Sequence, residues 1–302
     1  MSAPVWRAGR FEIDLARPRV MGIVNVTPDS FSEGSPDASP AAAIARCEQL
    51  LREGADLIDI GGESTRPGAL PVSADVELAR VVPVLEAAVR LGCPVSIDTS
   101  KASVMRAALD LGADIVNDIA ALRGAGSLDV VAAHGRCGVC LMHMRGTPAS
   151  MGREAQYDDV VAEVEAFLRE RIGVAEAAGI GRDRIVADPG IGFAKTAAHN
   201  LELLARQEAL SALGVPLLAG WSRKSTIARL AGVAAPAAER SADERNRIVA
   251  ASVVAAVIAV ERGARIVRVH DVAATVAGLG VWHAAAGVDN RADRSTAFPS
   301  SP

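Results

Sequence analysis

Residues 21–34 read MGIVNVTPDSFSEG, and the order of apolar and polar positions in this stretch sets the plan for the whole chain. The apolar run Val20–Val26 is short and rich in β-branched residues, as expected of a strand buried on both faces of a parallel sheet. One polar side chain, Asn25, interrupts it near the C-terminal end. Thr27-Pro28-Asp29 then stops the strand, and a stretch of Ser, Gly, Pro and Asp delays the first helix. A buried strand that ends in an amide and a long polar loop is how a barrel enzyme presents functional groups.

The same plan recurs outward from this point. Strand-like runs follow at Leu57–Gly61, Val95–Asp98, Ile115–Asp118, Gly138–Met142, Ile185–Asp188, Leu217–Gly220 and Ile266–Val269, which with Val20–Val26 makes eight. Helical periodicity fills the intervals, for example over Ala41–Arg52, Asp75–Leu91, Ser103–Leu111 and Val160–Ala178. Gly54, Gly92, Gly112, Gly179, Gly214 and Gly263 each stand between a helix and the next strand, where a left-handed helix end belongs. Eight alternating units predict one (β/α)8 TIM barrel of the α/β class, spanning residues 20–287; an open doubly wound sheet is the alternative. Residues 1–19 read as a preamble with a small hairpin, and the polar, aperiodic residues 288–302 as a disordered tail. Arg145–Asp159 and Gly232–Ser241 are longer excursions, the second leading into a helix over Ala242–Glu261.

Composition narrows the function. Of the 302 residues half are apolar but only 3% aromatic, so the core must be aliphatic. A net charge of −4 with scattered Lys and Arg argues against a nucleic-acid surface. No apolar run reaches the roughly 20 residues needed to span a bilayer, and the N-terminus lacks a continuous apolar segment of the signal-peptide kind. The chain therefore reads as cytoplasmic, with no membrane partner. Cys137 and Cys140 invite a redox or zinc reading. Positions three apart on a strand face opposite sides, however, so they read as buried small hydrophobes.

Barrel enzymes build their sites at the C-terminal strand ends. Those ends carry Asn25; Gly61–Arg66; Asp98–Lys101; Asn117 and Asp118; Met142 and His143; Asp188–Phe193; Ser222–Ser225; and Arg268, His270 and Asp271. Asp98, Asn117 and Asp188 are acceptors suited to a planar heterocycle bearing several N–H groups. Lys224, Arg268 and His270 can carry positive charge and suit an anion such as phosphate. Asn25 offers a hard oxygen for a magnesium ion bridging phosphates. Plainer readings exist for single residues: Asp98 as a helix cap, Asp188 as a turn former, His270 as a satisfied core histidine, Asp271 as the cap of the last helix. Asp59, inside its strand, reads as a hydrogen-bonded interior group, and His143 and His199 as structural or surface residues. Polar groups at seven ends together resist such readings.

These motifs resemble those of the dihydropteroate synthases, enzymes of folate biosynthesis. The resemblance rests on MGIVNVTPDSFSEG, DIGGESTRPGA, SIDTSK, VNDIAAL, CLMHMRGTP, DPGIGF, GWSRKS and RVHDV, in order from about Val20 to Gly287. It implies a transferase that condenses 6-hydroxymethyl-7,8-dihydropterin diphosphate with para-aminobenzoate, a reaction that sulfonamides inhibit. It assigns the pterin to Asp98, Asn117, Asp188 and Lys224, with Met142 lining the pocket; Asp98, Asp188 and Lys224 would serve catalysis. Diphosphate and Mg2+ would fall to Asn25, Arg268 and His270, with Ser225 nearby in the SRKS motif. Thr65, Arg66, Pro67, Phe31 and Phe193 would build the aminobenzoate site, and the protein would be a homodimer. Ala194 stands where glycine is common, and Ile191 where an aromatic is common. Two rivals remain: a methyltetrahydrofolate-using methyltransferase, which has no use for the SRK, RVH and GGESTRPG motifs together, and a pterin-binding paralogue without activity.

Overall fold

A computed structural model describes residues 5–27, 39–66 and 68–285. Phe31, Pro67, most of the first loop and the tail expectation for residues 288–302 lie outside the described residues.

Two short strands, β1 (Val5–Ala8) and β2 (Phe11–Asp14), pair antiparallel as a hairpin. Eight parallel strands then close into a barrel: β3 (Arg19–Asn25), β4 (Leu57–Gly61), β5 (Val95–Asp98), β6 (Ile115–Asp118), β7 (Gly138–Met142), β8 (Ile185–Asp188), β9 (Leu217–Ala219) and β10 (Ala264–Val269). They are neighbours in chain order, with β10 returning to β3. The helices are α1 (Pro40–Arg52), α2 (Ala74–Ala88), α3 (Ala102–Asp110), α4 (Ser127–His134), α5 (Val160–Ala177), α6 (Ala197–Ala205), α7 (Ser225–Leu230), α8 (Ala242–Glu261) and α9 (Val272–Ala285). The TIM barrel expected from the strand repeats is therefore the observed fold, and the open sheet is excluded by closure. All six glycines expected at helix ends adopt positive φ.

Strand alternation divides the core. One face of each strand packs outward on the helices, through residues such as Val24, Ile58, Ile60, Ile97 and Val139. The other face fills the barrel's N-terminal half with Met21, Leu57, Ile115, Cys140, Val186, Leu218 and Ile266. The hairpin plugs that end, adding Trp6, Ala8, Ile13 and Leu15 to the same cluster. Trp6 Nε1 donates to the Arg184 carbonyl at 2.9 Å, and a Cβ on Gly138 would lie 2.9 Å from the Ala8 Cβ, so only glycine lets the plug seat. Cys137 belongs to the outer cluster and Cys140 to the inner one, and both are free thiols. The period-two argument against a redox or zinc pair holds.

Candidate active site

The closed end leaves the C-terminal rim as the place for polar groups. Register aligns them: Asn25 lies beside Gly61, Gly61 beside Asp98, Asp98 beside Asn117, and Met142 beside Asp188. Gly61 leaves the space beside Asp98 open, since a Cβ there would come 3.4 Å from the Asp98 Cβ. Two residues down β4 on the same face sits Asp59, fully buried.

Arg268 joins these strands. Its Nε donates to Asp59 Oδ2 and its Nη2 to Asp98 Oδ2, both at 2.6 Å. Asn117 Nδ2 donates to the same Asp59 oxygen at 3.0 Å. Asp59 is thus the hydrogen-bonded interior group expected, and its Oδ1 has no partner among the described residues. One guanidinium serving two carboxylates leaves the cluster net negative. Burial accordingly pushes Asp98 up to about 7, against the pull of Arg268. Burial opposes the charge on Arg268 too, but Asp59 and Asp98 hold it protonated above its usual range.

Across the mouth, Asp188 Oδ1 accepts from Gly190 N at 2.7 Å, so the turn-forming role is real. Burial raises the Asp188 pKa, with that bond opposing. Lys224 Nζ lies 4.1 Å from the centre of the Phe193 ring, over its face. Burial, then repulsion from Arg268, lowers Lys224 to about 8. Phe193 packs with Met142, Met144, Met151, Ile119 and Ala194 in an apolar wall. Ala194, where glycine is common in the resembling motifs, takes φ of 49°, which explains that preference.

The expected anion side is separate from this wall. Asn25, Arg66, Arg223 and His270 line a cavity of about 830 Å3, together with Arg46 and Asp271. His270 Nδ1 is 3.1 Å from Ser222 Oγ. Burial, with Arg223 and Arg268 nearby, drives the His270 pKa far down, so the free site holds a neutral ring. Arg268 is turned instead towards the acceptors. Asp271 spends its carboxylate on Arg223 at 2.9 Å, and its backbone carbonyl accepts from Thr275 at the start of α9. Ser225 is exposed as the first residue of α7, and Asp98 plays no capping role, since Lys101 precedes α3 without a side-chain cap.

Thr65 is half-buried and Arg66 exposed on the loop after β4. The base of that loop is clamped, a feature the sequence did not reveal. Glu63 accepts from Val72 N and from Lys101 Nζ, each at 2.8 Å, and Lys101 also meets fully buried Glu77 at 2.6 Å. At the loop's tip, Gly68 N donates to the Pro148 carbonyl at 3.1 Å, joining it to the excursion after β7. His143, expected to be structural, is buried 2.8 Å from Lys195, and half-exposed His199 closes a capping box with Thr196 on α6.

The rim therefore carries a carboxylate-rich cluster beside an aromatic and methionine wall, next to a cation-lined cavity. Known proteins share this chain's plan. The profile of the family described as "pterin binding enzyme" matches residues 21–270. A curated dihydropteroate synthase from Neisseria meningitidis serogroup B is 50% identical over 94% of this chain and 98% of its own length. The structure of the Xanthomonas albilineans dihydropteroate synthase with 4-aminobenzoic acid superposes with a TM-score of 0.86 at 49% identity, covering 95% of this chain and 99% of that one. The same enzyme in complex with 7,8-dihydropteroate gives 0.82 at 47%, over 94% and 99%. On the family profile, the identities and the near-complete coverage, the chain belongs to the pterin-binding enzymes, alongside the dihydropteroate synthases.

Proposed function

We propose that this enzyme is a transferase of folate biosynthesis that condenses 6-hydroxymethyl-7,8-dihydropterin diphosphate with para-aminobenzoate, giving 7,8-dihydropteroate and diphosphate. The observation that carries this reading is the Asp59–Arg268–Asp98 cluster, whose net negative charge sits largely buried at the C-terminal end of the barrel. The pterin N–H groups take acceptors from Asp98, Asn117 and Asp188, and the ring lies against Met142. Arg268 keeps Asp59 and yields Asp98 to the ligand. When the bond from the pterin methylene carbon to the diphosphate oxygen breaks, the electron pair leaves with oxygen and positive charge spreads over the electron-rich ring. Asp98 and Asp188 stabilise that charge, Lys224 holds the ring's acceptors, and the neutral arylamine then attacks the carbon and loses a proton. No strong base is required of the protein.

Asn25 and His270 line the cavity in which the diphosphate would lie, and this reading adds Ser225, exposed at the start of α7. Magnesium commonly takes one or two protein oxygens and completes its shell with phosphate oxygens and waters, so the single amide oxygen of half-buried Asn25 suits it. Bound there, the ion would neutralise charge on the leaving diphosphate. Thr65 and Arg66, with Phe193, Pro67 and Phe31, form the aminobenzoate subsite in this reading, where sulfonamides would compete. A homodimer is supported by exposed apolar side chains on neighbouring helices, Leu230 of α7, Val254 of α8 and Val281 of α9. No helix among the described residues is long and apolar enough to cross a membrane, which accords with a cytoplasmic enzyme.

The test is product analysis. Purified protein given the pterin diphosphate, aminobenzoate and magnesium should form dihydropteroate and diphosphate in equal amounts. Pterin binding without product would favour the inactive paralogue.

A further inference from the structure

Lys195 is an expensive residue to bury. It is 8% exposed, and no carboxylate lies within hydrogen-bonding distance of its amine among the described residues. Its Nζ instead meets three backbone carbonyls, those of Phe193 at 3.0 Å, Gly190 at 3.1 Å and His143 at 3.4 Å, and His143 Nδ1 at 2.8 Å. The carbonyls belong to the two segments that form the pterin wall. His143 follows Met142 at the end of β7, while Gly190 and Phe193 lie in the turn after Asp188.

That turn has an unusual shape. Gly190, Gly192 and Ala194 all take positive φ, and a Cβ on Gly190 would fall 1.9 Å from the His143 carbonyl oxygen. A turn so folded points its carbonyls inward, where nothing but a buried donor can satisfy them. Lys195 supplies that donor, a single amine whose N–H bonds are shared among the three carbonyls and His143 Nδ1. A protonated Lys195 amine can only donate, so beside it His143 Nδ1 accepts and the neutral ring carries its proton on Nε2, in keeping with a pKa lowered to about 2 chiefly by burial. The same turn carries the Asp188 carboxylate, which accepts from Gly190 N, and the Phe193 ring that Lys224 covers.

We infer that Lys195 is a positioning residue: by gathering the carbonyls of His143, Gly190 and Phe193 onto one amine, it fixes Asp188 and Phe193 in the geometry that binds the pterin. The inference deepens the function proposed above and rests on it. It distinguishes Lys195 from Lys224, which faces the ligand directly.

The test compares Lys195→Met, which keeps length and apolar stem but no donor, with Lys195→Arg, which keeps charge and donors in a flatter arrangement. Calorimetry with the pterin diphosphate measures binding without turnover. The aminobenzoate KM is then read at saturating pterin diphosphate. The Met variant, folded by circular dichroism, should bind the pterin diphosphate at least tenfold more weakly, with a smaller rise in aminobenzoate KM transmitted through Phe193, and Arg should restore part of the loss. If Met does not fold, Arg alone decides, and it should show the same selectivity to a smaller degree. Unchanged pterin affinity in the deciding variant, or equal losses for both substrates, overturns the positioning role. Wild-type protein that binds the pterin diphosphate but makes no product would overturn the proposed reaction and leave the binding comparison intact.

Discussion

Replacing Asp98 by Asn keeps the shape of the side chain but removes its charge, and the structure sets the size of the effect. Asp98 is the one carboxylate of the pair on Arg268 that lies at the end of its strand, while Asp59 is two residues deeper in the barrel. Losing a charge-assisted hydrogen bond to a buried heterocycle should cost about 1.5–3 kcal/mol, or roughly ten- to a hundredfold in pterin affinity. The rate carries a second effect. A carboxylate about 5 Å from developing positive charge, at an effective dielectric of about 20, stabilises it by about 3 kcal/mol, or about two decades. Asp98→Asn should therefore lower kcat/KM by about three to four decades. The pH profile separates this from misfolding. Asp98 is raised to about 7 by burial and must be ionised to act, so wild-type kcat/KM should climb as pH rises through about 7, up to the range near 8 where Lys224 loses its proton. The Asn variant should lack that limb. Calorimetry and steady-state kinetics from pH 5.5 to 8.5 make the comparison. A pterin affinity within twofold of wild type, with the acid limb retained, would refute the role given to Asp98.

Three further outcomes follow from the same geometry. Gly190→Ala should abolish pterin binding and cost more than about 3 kcal/mol by thermal melting, since its Cβ would fall on the His143 carbonyl; a variant of native stability would mean that the turn is free to shift. Arg66→Ala should leave pterin diphosphate binding nearly normal while raising the aminobenzoate KM tenfold or more, and a parallel loss of both would place Arg66 elsewhere. His143 withholds a proton that an unfolded histidine takes up below pH 6.5, because its folded pKa is lowered to about 2. Unfolding free energy therefore falls as pH drops below 6.5. His143→Gln should flatten that slope by about 1.4 kcal/mol per pH unit down to pH 4.5, as read by urea melts.

Much of this molecule was legible in the sequence because the signals were periodic. Eight apolar runs spaced by helical segments dictate closure, and their polar C-terminal residues mark the rim whichever helices lie between. Helix α4 follows from the alternation but its bounds did not: it is short, lies between Gly126 and Gly135, and its small apolar residues give no clear period. Pairings across the barrel were invisible. Asp59, Asn117 and Arg268 lie far apart in sequence, and only the barrel's register shows that Arg268 serves two carboxylates. Lys195 carried no signal either, since a lysine in a polar loop ordinarily reads as solvated, and its burial follows from the turn's inward carbonyls. The Glu63–Lys101–Glu77 clamp is likewise tertiary, joining residues from three separate segments.

The central claim is that the bond to diphosphate breaks with charge left on the pterin before the amine arrives. Positional isotope exchange tests it most directly. Substrate labelled with oxygen-18 at the carbon–oxygen–phosphorus bridge would be incubated with enzyme and magnesium, with benzoate in place of aminobenzoate so that no amine can attack. Recovered substrate should show the label moved from the bridge into non-bridging phosphate oxygens. Label that stays in the bridge, under conditions where added aminobenzoate is turned over rapidly, would contradict a dissociative step and require the amine to displace diphosphate directly.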